Sequence, residues 1–558
     1  MKNLNYFNLV ILFAVMIIIS VVFLILDISR NMFFADEWDT PGNILSKFYN
    51  GDTLVFSDFF SQHNESRKIF PKLLYVLLAK VGILDMRVGV WIRLILSFLS
   101  IFLIYISSSS LSKNKRIVFM VCSSILLFIP SQTYNLVFGL QFITIVPPFC
   151  LIICILILES KLSILVKFLL NFSLCIISTF TYANGMIVWA IASPLLFYFY
   201  RPKKEIKHSQ LFSLFFTLLS FVIIGTYFYQ YKSPPSHPGV IAGITDPLRS
   251  FHFFLLWLWC PFLNGLTNAK LACIPLALFH LSTIIYFGKD LKMLIWRKVP
   301  LNTFQYLMIC LILYGLGTGL TTAIGRSGFG VKAALYVQYP SFALWTHIGI
   351  LGLLLTLQKE LFSKINIIFL TIYGTLFTVS FEDSITKLYS WKNTFTQASL
   401  CVDYIDIFPR NPVLQYMHPS PELISKKAGL FKKNSLIKEI DNRWLIDQNV
   451  TIKSDGGFFS ISTTSGTIMI NGWACNAETK KPADFVVLFD CSLEGKKKPI
   501  LITNLDKNRK DVSKSLGIKN TTTYGFHHHL PFKEKLNYPA MYAVDLKTKT
   551  LFQLEKID

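Results

Sequence analysis

Phe7-Asn-Leu-Val-Ile-Leu-Phe-Ala-Val-Met-Ile-Ile-Ile-Ser-Val-Val-Phe-Leu-Ile-Leu26 is a run of twenty residues without a charge. A helix rises about 1.5 Å per residue, so a run of this length crosses the roughly 30 Å hydrocarbon layer of a bilayer. The six residues before it, Met1 to Tyr6, resemble the charged start of a signal peptide. The apolar core is too long for one, however, and no small-x-small cleavage site follows, so the segment reads as a retained anchor. Many similar runs follow. Of the 558 residues, 53% are hydrophobic and only 15% charged, which excludes an ordinary soluble protein of this length and makes lipid the solvent.

The formal charge of +22 would suggest nucleic acid in a soluble chain. Here much of it lies in short loops between apolar runs, which is the positive-inside pattern, and no nucleic-acid motif appears. The basic clusters are Lys113, Lys115 and Arg116; Lys161; Arg201, Lys203, Lys204 and Lys207; Lys289, Lys292, Arg297 and Lys298; and Lys359 with Lys364. Placing all of them inside predicts eleven spans, near 7-26, 88-111, 116-131, 142-159, 163-182, 184-200, 208-230, 271-288, 303-323, 336-357 and 364-381. The N-terminus is then cytoplasmic and the C-terminus outside. Phe70 to Leu84 and Phe251 to Leu266 fit only by inverting the basic loops, so each reads as interfacial or re-entrant, with a short span as the alternative. Trp257, Trp259 and Phe253 suit the headgroup level.

Beyond Phe381 the pattern changes. Residues 382-449 are mixed and punctuated by Pro409, Pro412, Pro419 and Pro421, which predicts a connector of helices and loops. Residues 450-558 carry short alternating runs such as Phe458 to Ser462, Thr467 to Asn471 and Phe485 to Phe489, which predict a small all-β domain. The chain thus divides into a membrane part (1-381, with an outer loop at 27-69), the connector and the β domain. Cys122, Cys150, Cys154, Cys175, Cys273, Cys310 and Cys260 lie in apolar runs and behave as small hydrophobes. Cys475 and Cys491 sit in the polar tail and form a candidate disulfide pair in an oxidising compartment.

With the basic loops inside, the distinctive polar residues collect on the outer face. The sharpest group is Phe34-Ala-Asp-Glu-Trp-Asp39, just past the first span, where Asp36, Glu37 and Asp39 crowd beside Trp38. Carboxylates so close raise one another's pKa, as a general base working near neutrality requires. An ordinary solvated acidic loop is the alternative, though Phe33, Phe34 and Ala35 argue against solvation. The same loop carries Gln62-His-Asn-Glu-Ser-Arg-Lys68. There Arg67 and Lys68 can clamp a phosphate, while His63 and Glu65 can position a hydroxyl or a divalent cation. A plain helix start capped by Asn64 is the structural alternative. Further outer candidates are Asn135 to Gln141, Tyr182 to Gly185 with Asn184, Arg326 and Lys332. Arg326 meets an anion or snorkels to the interface, and Arg93 reads as lying near the outer boundary. No GxSxG, HExxH, Walker A or Rossmann fingerprint stands in a suitable context. Carboxylates and cations on one face suit deprotonation of an acceptor hydroxyl with stabilisation of a departing lipid phosphate.

Five motifs in order resemble one bacterial group of GT-C glycosyltransferases, enzymes that use lipid-phosphate sugars: Ala35-Asp-Glu-Trp-Asp39; Gln62-His-Asn-Glu65 with Arg67; Tyr134 to Gln141; Ala183-Asn-Gly185; and Gly325-Arg326 followed by Ala333 to Trp345. Where that group commonly has Arg-Tyr, this chain has Gln338-Tyr339. The membrane part is similar to the serotype-converting O-antigen glucosyltransferases. The resemblance implies transfer of a sugar, glucose in that group, from undecaprenyl phosphate to lipopolysaccharide O-antigen at the periplasmic face of the inner membrane. It also implies a pathway shared with a small flippase and a polyprenyl-phosphate glucosyltransferase. Asp36, Glu37 or Asp39 would take the acceptor proton. Arg67, Lys68, Arg326 and Lys332 would meet the phosphate, and Trp38, His63, Asn64, Glu65, Asn135, Gln141 and Asn184 would position the acceptor. The tail resembles an appended β-sandwich module, through Gly472-Trp-Ala474, Asn508 to Val512, Leu516-Gly517 and Tyr524-Gly-Phe526. No cofactor is required, and a divalent cation stays open. In the tail, His527-His-His529 cannot all reach one ion, because consecutive strand residues face opposite sides. A flippase or transporter of lipid-linked sugars would want broken helices near the midplane. An O-antigen polymerase shares the substrate, and an acetyltransferase would need a Gly-Asp-Ser nucleophile motif that this tail lacks.

Overall fold

The computed structural model describes residues 6–199, 206–235, 237–263, 302–356, 360–409, 411, 413–437, 443–447, 450–464, 467–491, 497–517, 523–531 and 536–557. The chain divides into two compact units. The first comprises Met1–Ser29, Val55–Lys80 and Arg87–Trp391; the second comprises Arg30–Leu54, Val81–Met86 and Lys392–Asp558. The acidic loop therefore groups with the C-terminal residues rather than with the helices that flank it in sequence.

The first unit is helical. Its principal helices are α1 (Tyr6–Ile28), α2 (Ile69–Val81), α3 (Val88–Ser107), α4 (Lys113–Leu127), α5 (Val146–Glu159), α6 (Ile164–Thr181), α7 (Met186–Phe199), α8 (Ile206–Phe228), α9 (Pro247–Leu263), α10 (Thr303–Arg326), α11 (Pro340–Thr356) and the greater part of α12 (Glu360–Asp403), which from Lys392 belongs to the second unit. Among the described residues, six segments are long and apolar enough to cross a membrane: Val88–Ser110, Lys113–Val137, Gly139–Glu159, Ile164–Thr181, Leu211–Phe228 and Thr303–Phe329. Helices at Ala14–Ile28, Ala183–Ser193 and Pro340–Thr356 are apolar but shorter. The span expected at 271-288 lies outside the described residues. The one expected at 364-381 is part of α12, which runs unbroken for 44 residues, so the first third of the expected connector is helix.

Local sequence sets several helix ends. Asn302 accepts from Gln305 N (2.9 Å) while Gln305 Oε1 accepts from Asn302 N (3.2 Å), a reciprocal cap that starts α10. Small residues then let α10 and α11 approach closely, as helices in lipid require. A Cβ added at Gly315 would lie 2.1 Å from Thr346 Oγ1, and one at Gly349 would lie 2.6 Å from the Met308 carbonyl.

Helix α2 has 13 residues, too few to span, which sets aside the short-span alternative for Phe70 to Leu84, and in α9 Phe253, Trp257 and Trp259 are fully buried. They fill space in the helix bundle, Trp257 lying where a side chain at Gly319 would be and Trp259 packing on His347 with ring centres 5.0 Å apart. Arg93, too, lies inside the protein, its guanidinium donating to Thr144 Oγ1 (2.5 Å), Gln132 Oε1 (2.9 Å), Ser341 Oγ (3.0 Å) and the Gln141 carbonyl (3.2 Å). A charge in an apolar bundle is tolerable when most of its donors are satisfied this way; Nη1 and Nη2 are, and Nε has no partner among the described residues.

The second unit holds two five-stranded sheets and α13 (Pro421–Lys433). The strands are β1 (Ile452–Lys453), β2 (Gly457–Thr464), β3 (Thr467–Ala474), β4 (Phe485–Cys491), β5 (Lys497–Thr503), β6 (Lys507–Asn508), β7 (Thr523–Pro531), β8 (Pro539–Asp545), β9 (Thr550–Gln553) and β10 (Glu555–Lys556). One sheet runs β1-β9-β8-β4-β5 and the other β10-β2-β3-β7-β6. The residues Phe485 to Phe489 of β4 are all buried, so this strand is covered on both faces. On one face Tyr404 packs on Phe485 (5.0 Å between ring centres) and Phe408 on Phe489 (5.8 Å). The Ile502 carbonyl accepts from both Gln397 Nε2 (2.9 Å) and Asn411 Nδ2 (3.2 Å), which ties the connector to the same sheet. Cys475 and Cys491 are free thiols. Cys475 follows β3 and Cys491 ends β4, so they belong to different sheets, and the expected disulfide is not present.

Candidate functional site

Each unit assembles part of the expected set. In the first, Gln62 and Lys232 clamp two loops together through Gln62 Nε2 to the Lys232 carbonyl (2.6 Å) and Lys232 N to Gln62 Oε1 (3.1 Å). His63 and Ser66 close a tight turn by reciprocal backbone bonds, with Asn64 left-handed at φ 48° inside it. Asn tolerates that conformation better than most residues. Asn64 is therefore a turn residue and not a helix cap. Tyr227 Oη donates to the Glu65 carbonyl (3.0 Å) and accepts from Arg67 N (3.2 Å), which fixes the backbone on either side of Ser66.

The Glu65 side chain meets Arg326 Nη2 and His237 Nδ1, and Arg326 Nη1 lies 3.4 Å from His237 Nε2. Arg326 also lies over the Phe329 ring, 5.6 Å from its centre. This triad, with Tyr231, Asn184 and Tyr339, lines a cavity of about 180 Å³ at the end of α10. Burial and the Glu65 carboxylate push the Tyr231 phenol up, with Arg326 acting against them. Gly330, at φ 94°, turns the chain just past Arg326.

Of the other expected phosphate ligands, Arg67 and Lys68 are occupied. Arg67 is buried, and its guanidinium donates to the carbonyls of Tyr227 (2.6 Å), Phe60 (2.6 Å) and Tyr229 while stacking 4.1 Å over the Phe60 ring. It staples loops together instead of facing a ligand. Lys68 is buried against His63 Nδ1 (2.9 Å). Lys332 is exposed and does not line the cavity. Asn135 Nδ2 braces the Val337 (3.0 Å) and Gln338 (3.2 Å) carbonyls, and Gln141 is buried with its carbonyl on Arg93. Of the cations and acceptor residues expected in the first unit, Arg326, Glu65 and Asn184 come together at one cavity. His237 and Tyr231 join them, and neither stands in a motif the sequence marks out.

In the second unit, Ala35–Trp38 is one turn of 3-10 helix entered through Ala35 at φ 49°. The three carboxylates have different environments. Glu37 is buried and its Oε2 accepts from Phe34 N (3.0 Å), closing the turn as a structural cap. Trp38 is fully buried, its ring 6.2 Å from that of Phe431, which in turn stacks on Phe33 at 4.6 Å. Asp36 and Asp39 remain partly exposed. Asp39 Oδ2 lies 3.0 Å from His418 Nε2, and His418 Nδ1 accepts from Ser420 N (3.0 Å). With Nδ1 an acceptor, the ring proton sits on Nε2 and points at Asp39.

Lys427 completes the group, its ammonium on the Trp38 carbonyl and on Asn43 Oδ1 (2.6 Å). Burial pulls its pKa down to about 8, with Asp39 opposing. Nothing in the sequence marks Lys427, and His418 gives itself away only by standing in the proline-punctuated stretch before Pro419.

Searches with family models, among curated proteins and among solved structures find no match to this chain.

Proposed function

We propose that the chain is an inverting glycosyltransferase that moves a sugar from a polyprenyl phosphate to a glycan hydroxyl. The observation that carries this reading is the turn 35–39, which holds two half-exposed carboxylates rigidly, one of them on a histidine, directly after an apolar N-terminal helix. Asp39, oriented by His418, is the preferred base, and Asp36 is the second candidate. Glu37, committed to its own backbone, is the least suited of the three. The base takes the proton of the acceptor hydroxyl, whose oxygen attacks the anomeric carbon. The bond between that carbon and the phosphate oxygen breaks, and the polyprenyl phosphate departs with the electron pair. A phosphate leaves without a protonating acid, and one displacement inverts the carbon.

Arg326 supports the phosphate role, because its planar fork suits phosphate oxygens and it lines a small polar cavity at the end of an apolar helix. Glu65, which also meets His237 Nδ1, holds Arg326 in place until a ligand shares it. The proposed orientation has a cytoplasmic N-terminus and a periplasmic C-terminal region whose two sheets form a sandwich, in the inner membrane of a bacterium. The acceptor is lipopolysaccharide O-antigen and the transferred sugar glucose. In cells carrying the acceptor glycan, Asp39→Asn lowers transfer about a hundredfold or more, the usual yield of a positioned base, and if Asp36 is the base instead the same loss falls on Asp36→Asn. Wild-type levels of modified glycan in both variants would remove the reading.

A further inference from the structure

The outer face of the second sheet carries a pair of imidazoles that the transfer reaction does not use. On β7, His527 and His529 are two residues apart and so share a face, while His528 points the other way, toward Thr503 of the other sheet. His527 Nδ1 contacts Asn471 Oδ1, its directly opposed partner on β3. An amide oxygen only accepts, so Nδ1 bears the proton and the lone pair of His527 is on Nε2. That atom lies 2.8 Å from His529 Nε2, whose N–H donates to it, and a bound metal ion would take the place of that proton. Met469, opposite His529 on β3, occupies the same half-exposed face.

We propose that His527 and His529 chelate one transition-metal ion, copper in preference to zinc, through their two Nε2 atoms. Metal-bound imidazoles usually donate their other ring N–H to an oxygen, as His527 does to Asn471, and this orients the ring before the ion arrives. With bonds of about 2.0–2.1 Å, two nitrogens 2.8 Å apart subtend about 85° at a metal, whereas a tetrahedral site needs roughly 3.3 Å. A near-right angle is the bite of a tetragonal ion, which Cu²⁺ prefers, and a thioether such as Met469 is a soft donor that favours copper further.

The test uses the purified full-length chain in detergent, without a histidine tag, titrated with Cu²⁺ and with Zn²⁺. One equivalent of Cu²⁺ should bind with an electron paramagnetic resonance spectrum showing tetragonal geometry and coupling to two nitrogens. His527→Gln and His529→Gln should each abolish that signal, and Asn471→Ala should weaken binding roughly tenfold, the loss expected of an outer-shell partner. Both histidines lie on the outer face, so the variants should keep the wild-type melting temperature. An unchanged signal in the His527→Gln/His529→Gln double variant, tighter binding of Zn²⁺ than of Cu²⁺, or no copper retained by the wild type would each overturn the proposal. None of these outcomes bears on the glycosyl-transfer reading.

Discussion

Asp39, His418 and Lys427 show how three side chains from distant parts of the sequence make one environment. Asp39→Asn keeps a hydrogen-bond partner for His418 and removes only the ability to take a proton, so activity should fall with little change in melting temperature. Arg326→Ala should raise the donor KM, costing about 1.5–3 kcal/mol for lost charge-assisted bonds, and Arg326→Lys should restore only part of it because an ammonium cannot bind two oxygens in a plane. Lys427 makes a pH prediction. Its folded pKa, about 8, is below the ordinary lysine value of 10.5. The unfolded chain therefore binds more protons between those values, and the burden of charging Lys427 in the folded state is relieved as pH rises through that window. Relative to Lys427→Met, the wild type should gain melting temperature from pH 8 to pH 10.5; a constant difference would show that this lysine keeps its ordinary pKa. The three carboxylates were legible in sequence as a group. Their separation into one structural cap and two exposed acids was not, because it depends on backbone geometry at Ala35 and Phe34.

At the level of elements, apolar length was the reliable signal. The runs near 88-111, 163-182 and 303-323 appear as helices with ends close to those expected, since each is a continuous apolar stretch bounded by polar or capping residues. Where length was ambiguous, packing had to decide. Helix α9 carries three aromatic residues that suit either an interface or a core, and packing against Gly319 and His347 chose the core. Helix α12 continues past the apolar stretch because residues 382–403 contain no proline or glycine to stop it. The α10–α11 contact is the most sensitive to size. Gly349→Leu would force its side chain into the Met308 carbonyl and should lower stability by about 1–3 kcal/mol or more, read as a fall in melting temperature in detergent. Gly374→Ala, inside α12 with open space around it, should be tolerated and stabilise by up to about 0.5–1 kcal/mol. In the second unit Phe431 is buried and stacked on Phe33. Phe431→Ala should cost about 3–5 kcal/mol and loosen the acidic turn with it, detectable as faster proteolysis within residues 30–54.

For the whole molecule, composition identified the solvent and the β-rich tail, and both stand: apolar helices dominate one unit and two sheets the other. The grouping of Arg30–Leu54 with Lys392–Asp558 had no sequence signal, because it rests on aromatic and lysine contacts across nearly four hundred residues, such as Lys427 with Asn43. That grouping means the acidic turn answers to the second unit's stability while the Arg326 cavity answers to the first's. The function proposed for the chain needs both. The direct test is transfer by the purified protein, reconstituted with a polyprenyl-phosphate glucose and an O-antigen acceptor. The account predicts glucosylated product with inverted anomeric configuration from the wild type, and loss of that product in Asp39→Asn and in Arg326→Ala proteins that melt like the wild type. Product formed at the wild-type rate by both variants would contradict it.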